Sequence, residues 1–312
     1  MSERFRRARE LSWDRFGKAI VFFLPGGFRL DGVSGKYPAL SVTGSRCSLQ
    51  CDHCRGKILQ SMVPAESPEK LVAKCLELAR KGHRGVLVSG GCDPRGRLPW
   101  KRFAPAIARI KGETDLFVSV HCGILDEEDA LGLKEAGTDQ ALLDVLGDDD
   151  AYRRVCRVPF GIERIVRSME LLRKVRLPVV PHVVCGMDRG RVKGEYRALE
   201  LVASFQVRQV VIVSLMSLRG TPMEKAPSPS AEAVADVIAE ARLLMPDALV
   251  ALGCARRRGD VRMETAAIDA GVNRLALPSD EAVEHAKAYG LDIRYQKTCC
   301  SVGRDWSSAS SW

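Results

Sequence analysis

The 312-residue chain predicts an α/β fold, a (β/α)8 barrel of the TIM type with a short helical leader and a C-terminal extension. Three observations carry this expectation. From residue 38 onward, short β-branched runs alternate with helical patterns. Eight such runs occur, each nearly continuous in apolar residues, as parallel strands buried on both faces are. One barrel of this kind uses about 250 residues, which assigns 38–290 to a single domain, 1–37 to the leader and 291–312 to the extension.

In order, residues 1–37 read as a charged helix followed by a glycine-containing turn region. Strands follow at 39–42, 86–89, 116–121, 141–145, 179–185, 209–215, 248–252 and 274–277. The segments between them repeat apolar residues at spacings of three and four. SPEKLVAKCLELARKG and GIERIVRSMELLRKV are the clearest, and both end in basic residues or glycine, as helix C-termini do. After the last helix, LDIRYQ leads to TCC and a serine-rich tail, DWSSASSW, expected to be disordered.

Composition narrows the function classes. No apolar run reaches about 18 residues, so neither a membrane span nor a signal peptide is expected, and the chain is placed in the cytoplasm. Its eleven cysteines are dispersed, which favours metal or redox chemistry over a disulfide framework. The net charge of +9 gathers in RFRRAR, YRRVCR and ARRRGD. Nucleic acid is the weaker explanation, because no recognised binding signature accompanies these runs and aromatics are only 6%. An acidic protein domain, anionic small molecules or a plain basic surface fit equally.

Functional groups in such barrels lie at the carboxyl ends of strands. The first strand runs into CSLQCDHC, with Cys47, Cys51 and Cys54. The second ends in SGGCD with Cys92, the third in His121 and Cys122, and the fourth in Asp144. The fifth ends in His182 and Cys185, and the seventh in Cys254. Three thiolates at C-x3-C-x2-C can bind three irons of a cubane cluster and leave the fourth iron open. A zinc site would need a fourth ligand, and only His53 lies within the loop. Buried structural cysteines would not sit among Ser, Gln, Asp and His.

This pattern resembles the radical S-adenosylmethionine (radical SAM) enzymes. The resemblance implies a 4Fe-4S cluster on Cys47, Cys51 and Cys54, whose open iron binds S-adenosylmethionine, and release of a 5′-deoxyadenosyl radical that abstracts hydrogen from unactivated carbon. It places His53 against the adenine, Ser89, Gly90 and Gly91 at the methionyl amino group, and Asp144 at the ribose hydroxyls. The family often has an acidic residue after the two glycines, where this chain has Cys92 and then Asp93.

Within the family, SVHC, HVVCGMDRGRVKGE, GTPM and VALGCAR resemble biotin synthase and its homologues. That likeness implies a second, sulfur-donating cluster in the barrel. The candidate ligands are Cys92, Cys122, Cys185, Cys254, Cys299 and Cys300, while Cys75 and Cys156 are assigned to structure. Two biotin synthase ligand positions are replaced, by Val88 and Ala251, which argues against dethiobiotin as substrate. Homologues that serve as paired lipoyl synthase components offer a better comparison. They imply an octanoyl chain on an acidic carrier domain, a second radical SAM protein, and an electron donor such as ferredoxin or flavodoxin. The rivals are a carbon-skeleton rearrangement or cofactor-maturation enzyme without sulfur insertion, a one-electron carrier or redox sensor, and a zinc scaffold.

Two further sets of residues have two readings each. His121 and His182 either orient ligands or pack in the wall, while His83 and His285 read as surface residues. Arg256, Arg257 and Arg258 either clamp a carboxylate or form a solvated run. The Cys299–Cys300 pair is expected to fold back over the barrel mouth.

Overall fold

The computed structural model describes residues 2–30, 32–309 and 312. All eight expected strands are present within one residue of their expected limits, and three more join them in one sheet. In chain order the eleven are β1 Ala19–Phe23, β2 Ala39–Ser41, β3 Val63–Pro64, β4 Gly85–Ser89, β5 Phe117–His121 and β6 Gln140–Val145. Then come β7 Val179–Cys185, β8 Gln209–Ser214, β9 Leu249–Leu252, β10 Arg274–Ala276 and β11 Asp292–Gln296. Their spatial order is β11-β1-β10-β9-β8-β7-β6-β5-β4-β2-β3, and every ladder is parallel. Among the described residues no ladder joins β11 to β3. The sheet is therefore a curled parallel half-barrel, with β11 and β3 at its open edges.

Helices cover the outer face. The helix Pro68–Arg80 starts where its chemistry requires: the Ser67 side chain accepts from the Lys70 amide, and Pro68 occupies the first turn. Helix Glu127–Glu135 opens with a capping box between Asp126 and Asp129. The leader helix Glu3–Phe16 packs on helix Ala231–Leu244, with Arg4 paired to Glu240 and Arg9 donating to the Asp269 carbonyl. Much of the first basic run is thus consumed inside the fold. On the second run Arg154 pairs with Asp150 and Arg157 with Asp52, both arginines staying exposed.

Alternation along the strands divides the side chains into two layers. Val86, Val88, Val118, Val120, Leu143, Val183 and Ile212 face the helices in one large core. Phe23, Leu142, Val180, Val211, Val213, Ala251 and Ala276 face the barrel interior.

The chain beyond β11 overturns one expectation and refines another. Residues 305–312, expected to be disordered, are anchored where described. The Trp306 ring meets Phe117 edge-on, its amide donates to Gln296, Ser308 bridges Tyr295, and the Trp312 ring lies 4.9 Å from Tyr295. Two tryptophans give the tail enough apolar surface to outweigh the entropy of ordering it. The Cys299–Cys300 pair does fold back, but into the interior rather than over the mouth. Cys300 is buried among the interior residues. Side chains at the amino ends of three strands grip this segment: Gln140 donates to the Ser301 carbonyl, Gln209 to Cys300, and Arg274 to Cys300 and Val302. No helix among the described residues is long and apolar enough to cross a membrane.

Candidate active site

The cysteine loop leaves β2 at the mouth and is shaped by its own backbone. Gly56 adopts φ +72°, and Cys54 donates its amide back to Cys51. Gly91 is required by close approach: a Cβ there would stand 2.0 Å from the Arg46 carbonyl oxygen and 2.6 Å from Cys47 Cα. Its amide donates to Thr43 Oγ1 at 2.6 Å, which pins the glycine motif to the start of the loop. Gly91 therefore serves to seat Cys47, a role the amino-group assignment did not include. Thr43 was missed, although its place between strand and loop was visible in the sequence.

Cys47, Cys51 and Cys54 line one cleft of about 260 Å3, together with His53, Ser89, Gly90, Gly91, Cys92, His121 and Asp144. All the residues assigned to S-adenosylmethionine are thus brought together. Apolar side chains, among them Ile58, Met62, Leu98, Ile124 and Phe160, complete the wall. Cys51 Sγ donates to the Cys156 carbonyl at 3.3 Å. A side-chain hydrogen bond with Cys156 pushes the Cys51 thiol well above the usual range, and burial adds to it, against a lowering bond with Cys54. Hydrogen bonding to Cys51 and burial push Cys54 up to about 12. Thiols bonded to one another and to a carbonyl, facing a cleft with no other task, form a donor set that three irons would occupy by displacing protons. Burial opposes protonation of His53, but its hydrogen bond to Cys54 and nearby charges raise its pKa overall. Its Nδ1 is buried without a protein partner, as fits a ring that meets a ligand.

Deeper in the mouth, His121, Asp144 and His182 come from three adjacent strands, with Asp144 opposite His182 in register. His121 Nε2 stands 3.3 Å from Asp144 Oδ1, and the two imidazole rings meet edge-on at 5.9 Å. Their ligand atoms lie within 4.8 Å of one another, close enough for one metal ion. Enclosure disfavours the Asp144 carboxylate, yet His121, His182 and His53 hold it down to about 2. Burial and the neighbouring His121 push His182 down to about 4.

The six thiols expected to hold a second cluster separate into three places. Cys92 lies beside the first loop, where burial and then the neighbouring Cys47 push it up to about 12. Cys122 and Cys185 are corrections: both thiols lie in the outer core between sheet and helices. His121 faces inward, so Cys122, one residue on, faces outward; Cys185 is three residues past the inward His182. Cys122 Sγ instead donates to the Leu142 carbonyl.

Cys254, Cys299 and Cys300 gather in the interior. A hydrogen bond from Cys300 lowers Cys299 to about 6, Ser301 Oγ adds a bond at 3.1 Å, and His121 adds its charge. Burial and Cys299 raise Cys254 to about 11. Arg256 is no substrate clamp. It is buried and bonded to Glu264 and to the Gly253 and Leu277 carbonyls. Arg257 is exposed beside it, and Arg258 stacks on Phe28.

Comparison with known proteins agrees with this geometry. The Radical SAM superfamily model matches residues 41–189. Biotin synthase 2 of Paracoccus denitrificans is 26% identical over 241 residues, spanning 76% of this chain and 75% of that protein. A Leptospira interrogans biotin synthase is 24% identical over 71% of this chain and 64% of its own length, so the chain spans just under two thirds of that relative. Among solved structures, methylornithine synthase superposes with TM-score 0.65 at 17% identity, over 93% of this chain and 90% of that one. The FeFe-hydrogenase maturase HydG from Carboxydothermus hydrogenoformans gives 0.66 at 16%, over 93% and 71%. Fold, three-cysteine loop and family match coincide: residues 41–189 form a radical SAM domain, the family implies a 4Fe-4S cluster and S-adenosylmethionine, and the chain's relatives at about 25% identity are biotin synthases.

Proposed function

We propose that the protein inserts sulfur at an unactivated carbon, using an iron–sulfur group inside the barrel as the sulfur source. The observation that carries this reading is the set of three thiols, Cys254, Cys299 and Cys300, that share the interior cluster of the barrel. When bound, the cluster on Cys47, Cys51 and Cys54 and its S-adenosylmethionine supply hydrogen-atom abstraction. The chain's own residues do the rest. His53 and Asp144 hold the nucleoside, Gly91 and Thr43 seat the loop, and the apolar wall excludes water from the reacting carbon.

We further propose an octanoyl chain on a lysine of an acidic carrier domain as substrate, with a second radical SAM protein and a ferredoxin or flavodoxin as partners. The apolar wall of Ile58, Met62, Leu98, Ile124 and Phe160 suits an alkyl chain. Arg55, Arg153, Arg219 and Arg257, exposed on the loops around the mouth, suit an acidic domain.

The test is anaerobic reconstitution, then incubation with S-adenosylmethionine, reductant and an octanoyl-lysyl carrier domain. About eight irons per chain and a product heavier by one sulfur atom are expected. About four irons with cleavage of S-adenosylmethionine but no sulfur transfer would leave a radical enzyme of the rearrangement or maturation kind.

A further inference from the structure

We propose that His121, Asp144 and His182 bind one divalent transition ion, zinc or iron(II), whose open coordination position takes an oxygen ligand such as a substrate carbonyl or carboxylate. The site contains no thiol and does not rest on the sulfur-insertion reading.

Parity and register bring the three side chains to one place. They stand on three adjacent strands, β5, β6 and β7, with Asp144 opposite His182. Asp144 follows Leu142 by two residues and His182 follows Val180 by two, so both share the inward face of those interior residues. A ring nitrogen of each histidine and an oxygen of Asp144 lie within 4.8 Å of one another. Two imidazoles and one carboxylate are the donors of mononuclear zinc and non-haem iron(II) sites, in which three protein ligands leave a position open.

The distances fit ligands better than a hydrogen-bonded pair. His121 Nε2 stands 3.3 Å from Asp144 Oδ1. A charge-assisted hydrogen bond would bring them to about 2.7–2.9 Å. Two ligands of a tetrahedral ion with bonds of about 2.0–2.1 Å lie about 3.3–3.4 Å apart. The widest gap in the set, at most 4.8 Å, exceeds that spacing by no more than about 1.4 Å. Rotation of one ring about its broad χ2 well covers the difference.

The surroundings prepare the ligands. His182 Nδ1 meets the Val180 carbonyl at 3.1 Å, and a carbonyl only accepts, so Nδ1 carries the proton and Nε2 the lone pair that a metal needs. Ser119, two residues before His121 on the same face, is fixed by the Tyr37 hydroxyl at 2.5 Å, which anchors that strand. The side chains of His121 and Asp144 remain 32% and 52% exposed, so the set is open on one side. Both also line the cleft, and Asp144 keeps its second oxygen for the nucleoside.

The test uses the full chain with its first cluster reconstituted anaerobically, then incubated with Zn2+ as the probe and desalted. About one zinc per chain is expected. Zinc-edge X-ray absorption should show nitrogen and oxygen at about 2.0–2.1 Å with imidazole scattering, and no sulfur at about 2.3 Å. His121→Ala, His182→Ala and Asp144→Asn should each weaken zinc binding by more than about tenfold, with iron per chain unchanged. Cys254→Ala should leave the nitrogen and oxygen shell intact. A parent that retains no zinc, or whose zinc shows a sulfur shell, would overturn the proposal, as would a shell that survives in both histidine variants. The first two outcomes are read on the unaltered chain, so they hold even where a variant fails to fold, and the iron count reports on the radical SAM reading separately.

Discussion

Replacing Gly91 with alanine should detach the first cluster without unfolding the barrel. The added methyl would lie 2.0 Å from the Arg46 carbonyl oxygen, 2.5 Å from Cys47 Cβ and 2.6 Å from Cys47 Cα. Two of these are backbone atoms, so no side-chain rotation relieves the clash. The loop must retreat by about 1 Å or more to reach an ordinary contact, whereas metal sites hold their ligand distances to roughly 0.2 Å. Overpacking of this kind costs about 1–3 kcal/mol, or a fall of roughly 2–5 °C in thermal midpoint for a chain of 312 residues. The assay is iron per chain after reconstitution, read beside a melting curve. Loss of about four irons is expected. Gly112→Ala is the control, since that glycine is exposed in a helix with no atom within 4 Å of the new Cβ. It should gain roughly 1 kcal/mol and keep its iron. A Gly91→Ala protein with full iron and an unchanged midpoint would refute the close-approach argument.

Three further outcomes follow from buried charge and from the tail. Arg256→Met strands Glu264, 3% exposed, without its partner and should cost about 3–5 kcal/mol, while Arg256→Met with Glu264→Met should recover much of it in urea melts. His182 is held near 4, below the usual imidazole value, so between pH 6.5 and 4 the unfolded chain binds the extra proton and stability falls as pH falls. The loss is at most about 3 kcal/mol, and His182→Gln should flatten that part of the melting-temperature profile; an unchanged slope would contradict it. Arg274→Met orphans the Val302 carbonyl while Gln209 still donates to Cys300, so stability should drop by about 1–3 kcal/mol. If the barrel holds a second iron–sulfur group as proposed, its iron should be lost while the first cluster's iron remains, as Mössbauer spectra would show.

Local patterns made the strands, the helices and the first site legible. Continuous apolar runs place parallel strands to within a residue, and three cysteines on one short loop converge whatever the rest of the chain does. Long-range choices were less visible. That Ala19–Phe23 and Asp292–Gln296 extend the sheet follows from pairing across some 270 residues, which no local spacing encodes. The tail reads as polar and serine-rich, and its order depends on where Trp306 and Trp312 find partners. Arg256 lies within a charged run, and only the fold reveals it as a buried staple.

The second site turns on parity, a feature that the sequence carries and residue type conceals. Counting cysteines at strand ends treats His121 and Cys122 as equals, but a strand gives its two faces alternate residues. Gln140, Leu142 and Asp144 share one face, as do His182, Val180 and Val184, so their positions define the interior. Against that reference Cys122 and Cys185 fall on the helix side, and two of the thiols suggested by likeness to biotin synthase leave the site. The interior would then lack ligands, were it not that the segment after the last strand enters it carrying Cys299 and Cys300, held by Gln140, Gln209 and Arg274. The tail thus brings thiols into an interior that the strands themselves line with Phe23, Leu142, Val180, Val211 and Val213. The same polar grip explains why three strands begin with residues as costly to bury as Gln140, Gln209 and Arg274: together they satisfy the Cys300, Ser301 and Val302 carbonyls of the tail.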